Sequence, residues 1–257
     1  MRFVPDSSVV ADILPSANYG DRRGDRAPDM IILHYTGMAD AESAIRRLTI
    51  AGTEVSAHYV VHEDGRIIQC VPESLRAWHA GAATWGADTD LNSCSIGVEI
   101  VNGGHDYGLP GYPLRQIAAV IALCKGIMIR RNIVSERVLA HSDVAPGRKQ
   151  DPGEKFPWQL LADSGVGLFT HPAKIVAGPA LEIGSSGPDV VALQKALADY
   201  GYGISAGGHY DSATRDVVAA FQRHFRPARV DGVADASTLT TLNDLLAVRA
   251  AHRAKVT

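Results

Sequence analysis

Residues 138–153 read Val-Leu-Ala-His-Ser-Asp-Val-Ala-Pro-Gly-Arg-Lys-Gln-Asp-Pro-Gly and join a short apolar run to a loop that carries a carboxylate. The apolar run Val138–Leu139 indicates a strand that delivers His141 to its end. Two Pro-Gly pairs force the following loop to turn, which favours a position of Asp151 close to His141. The stretch therefore predicts an imidazole and a carboxylate side by side at one edge of a sheet.

A second histidine has the same setting, because Met30-Ile-Ile-Leu33 is an apolar strand and His34 follows it. At strand ends, His34, His141 and Asp151 would give a zinc ion three protein ligands and leave a fourth position open, as in catalytic zinc sites. The alternative is chance, since the chain has ten histidines and a histidine at a strand end is commonly a hydrogen-bonded surface group. Spacing alone leaves both interpretations open.

Two further charged residues favour a hydrolytic site. Glu99 lies in the otherwise apolar strand pattern Ser95-Ile-Gly-Val-Glu-Ile-Val101, where a carboxylate is costly unless it is paired or used. Lys149 precedes Asp151 by two residues, close enough to place a cation beside the same metal. A base, a cation and a metal-activated water are the parts needed to hydrolyse an amide.

Strand and helix patterns alternate along residues 30–141. Apolar runs predict strands at Met30–His34, His58–His62, Arg66–Val71, Ser95–Val101 and Val138–His141. Helical spacing predicts helices at Asp40–Ala51 and Leu114–Ile129. This order indicates an α/β fold, with a mixed central β-sheet flanked by helices.

Five ordered segments carry a family resemblance. They are Ile32-Leu-His-Tyr-Thr36, Ser56-Ala-His-Tyr-Val60, Ala77-Trp-His-Ala-Gly81, Ser95-Ile-Gly-Val-Glu-Ile100 and His141-Ser-Asp-Val-Ala-Pro-Gly-Arg-Lys-Gln-Asp-Pro-Gly153. Together they resemble the zinc-dependent N-acetylmuramoyl-L-alanine amidases of type 2, AmpD/AmiD branch, which share their fold with peptidoglycan recognition proteins. The resemblance implies one zinc ion per chain held by His34, His141 and Asp151. It further implies that Glu99 is the catalytic glutamate and that Lys149 stabilises the oxyanion.

The same resemblance suggests where substrate binds. We expect substrate contacts from Tyr35, Trp78, His79 and Asn92, while burial for packing alone is the alternative for Trp78. Other branches of the fold place a catalytic tyrosine before the pair that here is His58-Tyr59, and this chain has Ala57 there instead. The departure puts more weight on Glu99.

Several polar residues have no ligand spacing. We interpret them as surface or core polar groups: His58, His62, His105, His209 and His224. Asp143 lies near the metal loop, and we expect it to cap the turn.

A second, smaller domain follows a Gly/Pro-rich region. We predict the metal domain at residues 1–170, a linker at 171–180 and a small three-helix domain at 181–250. Its helical patterns are Pro188–Tyr200, Asp211–Phe225 and Asp235–Val248. Gly208-His-Tyr-Asp-Ser-Ala-Thr214 and Gly232-Val-Ala-Asp-Ala-Ser-Thr238 repeat the pattern Gly-x-x-Asp-x-x-Thr, each opening a helix. This part resembles the peptidoglycan-binding domain type 1, with a generic three-helix bundle as the alternative. We expect it to tether the enzyme to polymer without taking part in the chemistry.

Composition narrows the possible partners. The chain has 257 residues, a net charge of −3, and 46% hydrophobic and 21% charged residues, values typical of a globular protein. Such a charge shows no electrostatic signature for nucleic acid, and no apolar run reaches the length of a membrane helix. We therefore expect no nucleic-acid partner, no membrane span and a monomer.

Compartment is inferred from the first residues and the cysteines. Asp6 and Asp12 interrupt what would be the apolar core of a signal peptide, and the first cysteine is Cys70. Cys70, Cys94 and Cys124 cannot all pair, which indicates buried thiols in a reducing compartment. We expect a cytoplasmic protein, with the periplasm or the cell wall as the alternative.

The resemblance implies hydrolysis of the amide bond between the lactyl group of (anhydro-)N-acetylmuramic acid and L-alanine, with peptidoglycan or a muropeptide as substrate. A non-catalytic peptidoglycan-binding protein is the alternative, but such members typically lose a zinc ligand and all three positions are filled here. A zinc peptidase normally shows His-Glu-x-x-His, a motif that the sequence does not contain. A scaffolding role would leave Glu99 and the metal residues unexplained.

Overall fold

The structure is a computed structural model that describes residues 2–256. The described strands are β1 (Asp12–Ile13), β2 (Tyr19–Gly20), β3 (Met30–Tyr35), β4 (Tyr59–Val61), β5 (Ile67–Gln69), β6 (Arg76–Ala77), β7 (Ser95–Ile100), β8 (Val138–Ala140), β9 (Ala180–Leu181) and β10 (Ala234–Asp235). The described helices are α1 (Ala41–Thr49), α2 (Leu91–Cys94), α3 (Leu114–Arg131), α4 (His141–Val144), α5 (Trp158–Asp163), α6 (Pro188–Tyr200), α7 (Ser212–Phe225) and α8 (Ala236–Val256).

Six strands form one mixed sheet in the order β1-β5-β4-β7-β3-β8. Strand β3 pairs in parallel with β7 on one side and β8 on the other, whereas β4 and β5 form an antiparallel hairpin. A turn at residues 63–65 closes this hairpin, and the N–H of His62 donates to the carbonyl of Arg66. The mixed α/β sheet expected from the sequence is confirmed, and its strand ends differ from expectation by one or two residues, as boundaries commonly do.

Side chains of β3 alternate between the two faces of the sheet. Ile31 and Leu33 pack in the apolar cluster that contains α3, whereas Met30 and Ile32 pack in a different cluster on the opposite face. His34 continues this alternation and therefore lies on the face of Met30 and Ile32. The alternation thus carries the first predicted metal ligand away from α3.

Two separate pieces cover that second face. Helix α1 packs its Leu48 against Val60 and Ile68, over the β4 and β5 end of the sheet. The small domain covers the β3 and β8 end, because Met30, Ile32 and Leu139 belong to the same cluster as its helices. The carboxyl ends of β3 and β7 remain open beside α1.

The small domain contains α6, α7 and α8, as its apolar patterns predict. In both copies of the repeat the aspartate accepts a hydrogen bond from a threonine N–H three residues later, Asp211 from Thr214 and Asp235 from Thr238, each at 2.8 Å. The repeat is therefore a helix-capping device. Helix α8 extends to Val256, beyond the expected end, because the added residues are largely good helix formers without an apolar stripe.

The two domains share one apolar core. Trp85 of the larger domain stands edge-on to Tyr200 and Tyr202 of the small domain, with ring centroids 5.6 and 5.1 Å apart. Gly201 permits this approach, since a Cβ there would lie 2.4 Å from the Trp85 ring. This shared apolar core opposes independent movement of the two domains, and binding of the small domain to polymer stays a prediction.

The segment between the domains follows an extended path. Residues 171–179 form no helix or strand, and several of them are exposed. Ala173 is tied to α8 by hydrogen bonds with Thr241 and Ser237. The boundaries near residues 170 and 180 stay predictions. None of the described helices is long and apolar enough to cross a lipid bilayer.

Candidate active site

His34, His141 and Asp151 meet over the ends of two paired strands. His34 is the penultimate residue of β3, and His141 is the first residue of α4, directly after β8. The Nδ1 atoms of His34 and His141 are 2.9 Å apart, and each lies 2.9 Å from Oδ2 of Asp151. All three residues are buried. One donor atom of each residue therefore faces a common point.

This arrangement fits a zinc ion. Zinc–nitrogen and zinc–oxygen bonds of about 2.0–2.1 Å in a tetrahedron separate neighbouring ligand atoms by about 3.3 Å, close to the separations found here. Two imidazoles and one carboxylate are also a donor set that zinc accepts in catalytic sites. The residues present thus match the predicted cofactor in both geometry and chemistry.

The outer nitrogen of each metal-site histidine has its own partner. His34 Nε2 lies 3.1 Å from Nδ1 of His79, and His141 Nε2 lies 3.0 Å from the carbonyl oxygen of Ala80. Such partners fix the tautomer, so that Nδ1 of His141 presents its lone pair to the common point. Gly97 makes room for His79, because a Cβ there would lie 2.4 Å from the His79 ring.

The titration behaviour of the triad suits a cation. Burial and the neighbouring His141 lower the pKa of His34 to about 4, so its imidazole is neutral at pH 7. Burial alone would raise the pKa of Asp151, but the charges and hydrogen bonds of His141 and His34 outweigh it and hold that pKa well below its usual range. The triad therefore offers a neutral His34 imidazole and an ionised carboxylate.

Glu99 stands next to His34 in the sheet, since the β3–β7 register pairs these two residues. Its Oε2 is buried, and no hydrogen-bond partner for it exists among the described residues. Burial, followed by the negative charge of Asp151, raises the pKa of Glu99 well above its usual range, and Lys149 only partly opposes this shift. A carboxylate with a raised pKa accepts a proton more readily than an ordinary glutamate.

A cavity of about 300 Å³ opens in front of these residues. Its lining includes six sequence-predicted site residues besides Asp151 and His141, namely His34, Tyr35, Trp78, His79, Glu99 and Lys149. The structure thus brings the metal triad, the candidate base and the candidate cation into one space. Burial and the charge of Asp151 raise the pKa of Tyr35, which keeps its phenol protonated.

Asn92 is not among the lining residues. Its Oδ1 accepts hydrogen bonds from the backbone N–H groups of His79 and Ala80, at 3.0 and 2.8 Å. The structure therefore gives Asn92 a different place from the one expected: it fixes the loop that carries the outer partners of the metal site. A substrate contact from Asn92 stays untested.

The sequence interpretation missed other residues near the cavity. Arg47 of α1 and Asp106 line it and place opposite charges there. His105 bonds the Tyr35 hydroxyl through Nδ1 at 3.0 Å and Glu154 through Nε2 at 3.0 Å. The sequence could have indicated Arg47, because it lies one helical turn after the buried Ala44 in α1. No local pattern indicates the contact between His105 and Glu154, which are 49 residues apart.

Asp143 caps the turn, as expected, and it makes further contacts that the sequence did not indicate. Its Oδ2 accepts the N–H of Ala140 at 2.8 Å, which caps the turn that begins with His141. The same carboxylate also bonds Tyr202 and His224 of the small domain. The interpretation of His224 as an ordinary polar group overlooked this contact.

Two family models match separate parts of this chain. The family model of N-acetylmuramoyl-L-alanine amidases matches residues 24–154, and that of a peptidoglycan binding domain matches residues 186–242. The chain is 39% identical over 233 residues to the N-acetylmuramoyl-L-alanine amidase AmiD of Escherichia coli K12, covering 84% of this chain and 82% of AmiD. It is 30% identical to the 1,6-anhydro-N-acetylmuramyl-L-alanine amidase AmpD of Salmonella typhimurium, covering 61% of this chain and 91% of AmpD.

Solved structures show the same architecture. The complex of E. coli AmiD with anhydro-N-acetylmuramic acid-L-Ala-D-γ-Glu-L-Lys matches with a TM-score of 0.73 and 38% identity, covering 86% of this chain and 89% of AmiD. AmpDh3 of Pseudomonas aeruginosa matches with a TM-score of 0.70 and 29% identity, covering 95% of this chain and 98% of AmpDh3. Sequence and fold both match, and the chain belongs to the N-acetylmuramoyl-L-alanine amidase family.

Proposed function

We propose that this amidase is zinc-dependent and hydrolyses the bond between the lactyl group of (anhydro-)N-acetylmuramic acid and L-alanine of the stem peptide. The observation that carries the proposal is the convergence of His34, His141 and Asp151 beside an unpartnered Glu99 carboxyl oxygen. Three ligands and one neighbouring base are what amide hydrolysis on a zinc ion requires.

Bound zinc supplies a Lewis acid, which polarises the scissile carbonyl and increases the acidity of a water molecule. His34 and His141 would hold the ion through their Nδ1 atoms, and the outer contacts to His79 and Ala80 fix the orientation of the two rings. Asp151 contributes the negative charge that holds a cation in this buried place. One zinc ion per chain is the expected stoichiometry.

Glu99 takes the proton of the attacking water and returns it to the leaving amine of L-alanine. Its raised pKa supports the first step, because it makes the carboxylate a stronger base than an ordinary glutamate, and the protonated group can then donate in the second step. Lys149 lines the same cavity and donates to the oxyanion that develops on the scissile carbonyl. Both roles are proposals for residues that the geometry brings together.

Substrate contacts are proposed for the rest of the lining. The ring of Trp78 offers an apolar face to a sugar, and the protonated phenol of Tyr35 offers a hydrogen bond. Arg47 is a suitable partner for a carboxylate of the stem peptide and Asp106 for an amine. Asn92 acts through the loop that it holds, and His79 through His34.

The proposed partner is a peptidoglycan fragment, and the proposed working form is a monomer. AmiD has been solved in complex with anhydro-N-acetylmuramic acid-L-Ala-D-γ-Glu-L-Lys and AmpDh3 with anhydromuramic pentapeptide, which supports a fragment of that class here. Cys70, Cys94 and Cys124 are buried and free, as in proteins of reducing compartments, and we propose a cytoplasmic role in muropeptide recycling. Immunoblotting of separated cell fractions tests the compartment, and recovery in the periplasmic fraction would refute it.

Mass spectrometry of reaction products tests the activity. The soluble substrate anhydro-N-acetylmuramic acid-L-Ala-D-γ-Glu-L-Lys should yield the free sugar acid and the free peptide. A chelator should stop the reaction, and added zinc should restore it. Binding of the substrate without any cleavage by the zinc-loaded protein would support the non-catalytic alternative instead.

A further inference from the structure

The end of α7 enters the larger domain with two consecutive polar residues, Arg223 and His224. His224 is buried, and its ring stacks on Trp158 with a centroid distance of 3.8 Å. Its Nδ1 lies 2.7 Å from Oδ2 of Asp143. A polar residue of the small domain thus reaches the short helix that begins with His141.

Tyr202 reaches the same carboxylate. Its hydroxyl donates to Oδ1 of Asp143 at 2.8 Å, and both side chains are buried. Asp143 in turn holds the N–H of Ala140, the residue directly before His141. Three donors therefore fix one buried carboxylate, and two of them come from the small domain. Hydrogen bonds to a buried carboxylate limit the movement of the groups that donate them.

Arg223 begins a second route into the cavity. Its Nε lies 3.6 Å from Oε2 of Glu154, which accepts the N–H of His105 at 3.0 Å. His105 Nδ1 is then free to accept the hydroxyl proton of Tyr35, also at 3.0 Å. The path from the small domain to the cavity lining thus consists of an ion pair and two hydrogen bonds.

We propose that the small domain is a positioning element of the amidase site, with Tyr202 and His224 holding the His141 turn through Asp143 and Arg223 holding Tyr35 through Glu154 and His105. This inference rests on the proposed function of the cavity. It adds a second role to the expected tether, because these contacts lead to the His141 turn and to the cavity lining.

The first test compares two tyrosines at the same junction. Tyr202→Phe removes the bond to Asp143, whereas Tyr200→Phe makes the same change at a residue that packs on Trp85 without a described bond to Asp143. In the full-length protein, chelator competition should show a zinc dissociation constant about 3- to 10-fold higher for Tyr202→Phe, at the low end of outer-partner effects. Tyr200→Phe should stay within about twofold of wild type.

An unchanged zinc dissociation constant in Tyr202→Phe, or an equal rise in Tyr200→Phe, would overturn the metal-side part of the proposal. Thermal unfolding of both variants accompanies the measurement. A zinc effect in Tyr202→Phe at an unfolding temperature matched by Tyr200→Phe supports positioning, because general destabilisation would affect both variants alike.

The second test addresses the Tyr35 side. Arg223→Met should raise KM for the soluble anhydro-muropeptide about 10-fold with zinc content unchanged, and Arg223→Lys should recover part of the loss, since outer partners of a site commonly contribute about 10-fold. Arg215→Met is the matched control, because Arg215 lies on the same helix and pairs with Asp216 at the surface. We expect wild-type kinetics from this control.

A double-mutant cycle separates positioning from stability. If Arg223 acts through Tyr35, the Arg223→Met effect on KM should largely disappear in a Tyr35→Phe background, because residues in one network are not additive. A full effect in that background, or none in wild type, contradicts the proposal. Should wild type leave the muropeptide intact, the proposed function fails, and the zinc affinities of the tyrosine variants still decide the inference.

Discussion

Asp151 and Glu99 share one cavity and have opposite surroundings. Oδ2 of Asp151 contacts the Nδ1 atoms of two histidines, and these neighbours hold its pKa below the usual range. Glu99 has an unpartnered buried oxygen, and burial raises its pKa well above the usual range. Pairs of carboxylates whose pKa values are pushed apart commonly divide two roles between them. Here Asp151, which is paired, is suited to bind a cation, and Glu99, which is not, is suited to accept a proton.

The largest effect is expected on the paired side. His141→Ala or Asp151→Ala should abolish hydrolysis and lower zinc affinity by more than the roughly 10- to 100-fold typical of outer partners. Metal analysis of each purified variant is the measurement. Stoichiometric zinc in His141→Ala would remove that residue from the ligand set.

The second largest effect is expected from removing the proposed base, Glu99. Glu99→Gln keeps the shape of the side chain and should lower kcat by about 10² to 10⁴, the usual contribution of general base catalysis. Zinc content should remain near wild type, in contrast to the Asp151 variant. Turnover close to wild type would assign the proton transfer to another group and break the comparison.

Lys149 lines the same cavity as both carboxylates, so its substitution tests a third role beside theirs. Lys149→Met should lower kcat by about 10² to 10³, by analogy with a lost oxyanion-hole donor, and should change KM less. Steady-state kinetics on the soluble muropeptide separate the two parameters. An increase in KM alone would limit Lys149 to holding the substrate.

The smallest effects concern the stability of the metal-free protein. The pKa of Glu99 is raised in the folded state, so its contribution to folding stability is fully present below the unfolded-state pKa of about 4.3. This contribution is lost as pH rises through the folded-state pKa. Glu99→Gln should therefore raise the unfolding temperature at pH 7 and change it little near pH 4. Denaturation scans across this range give the sign, and a lower unfolding temperature at pH 7 would contradict it.

Asp151 should behave in the opposite way. Its folded-state pKa is lowered, so it stabilises the protein above the unfolded pKa of about 3.9, and this contribution disappears as pH falls through the folded value. Asp151→Asn should lower the unfolding temperature of the metal-free protein at pH 7. The same scans measure it, and equal responses of the two variants would mean that their surroundings do not differ as described.

Local patterns sufficed to predict the sheet and the convergence of His34, His141 and Asp151. Alternation in β3 and the turns after His141 are short-range features, so the two histidines could be placed at strand ends from the sequence, whereas Asp151 lies in the loop after α4 and not at a strand end as expected. Contacts between distant residues could not be predicted. Nothing near His224 indicates that it meets Asp143, 81 residues earlier in the chain.

The contacts of Asn92 and His79 in the structure differ from those expected from the sequence. Asn92 was expected at the substrate, yet its side chain satisfies two backbone N–H groups of the loop at His79 and Ala80. His79 lines the cavity as expected and in addition supports His34, a contact that depends on the missing side chain of Gly97. Such assignments require the packing of three segments at once, which no local pattern contains.

The pairing of His34 with Glu99 in the β3–β7 ladder has a consequence for how this enzyme can change. Adjacent strands keep a spacing of about 4.8 Å that backbone hydrogen bonds maintain, so the distance between the proposed ligand and the proposed base does not depend on the surrounding loops. Arg47 and Asp106, at the rim, belong to separate segments. Mutations there can adapt the enzyme to a different stem peptide while the reaction geometry is inherited intact, which makes selectivity and chemistry independently evolvable.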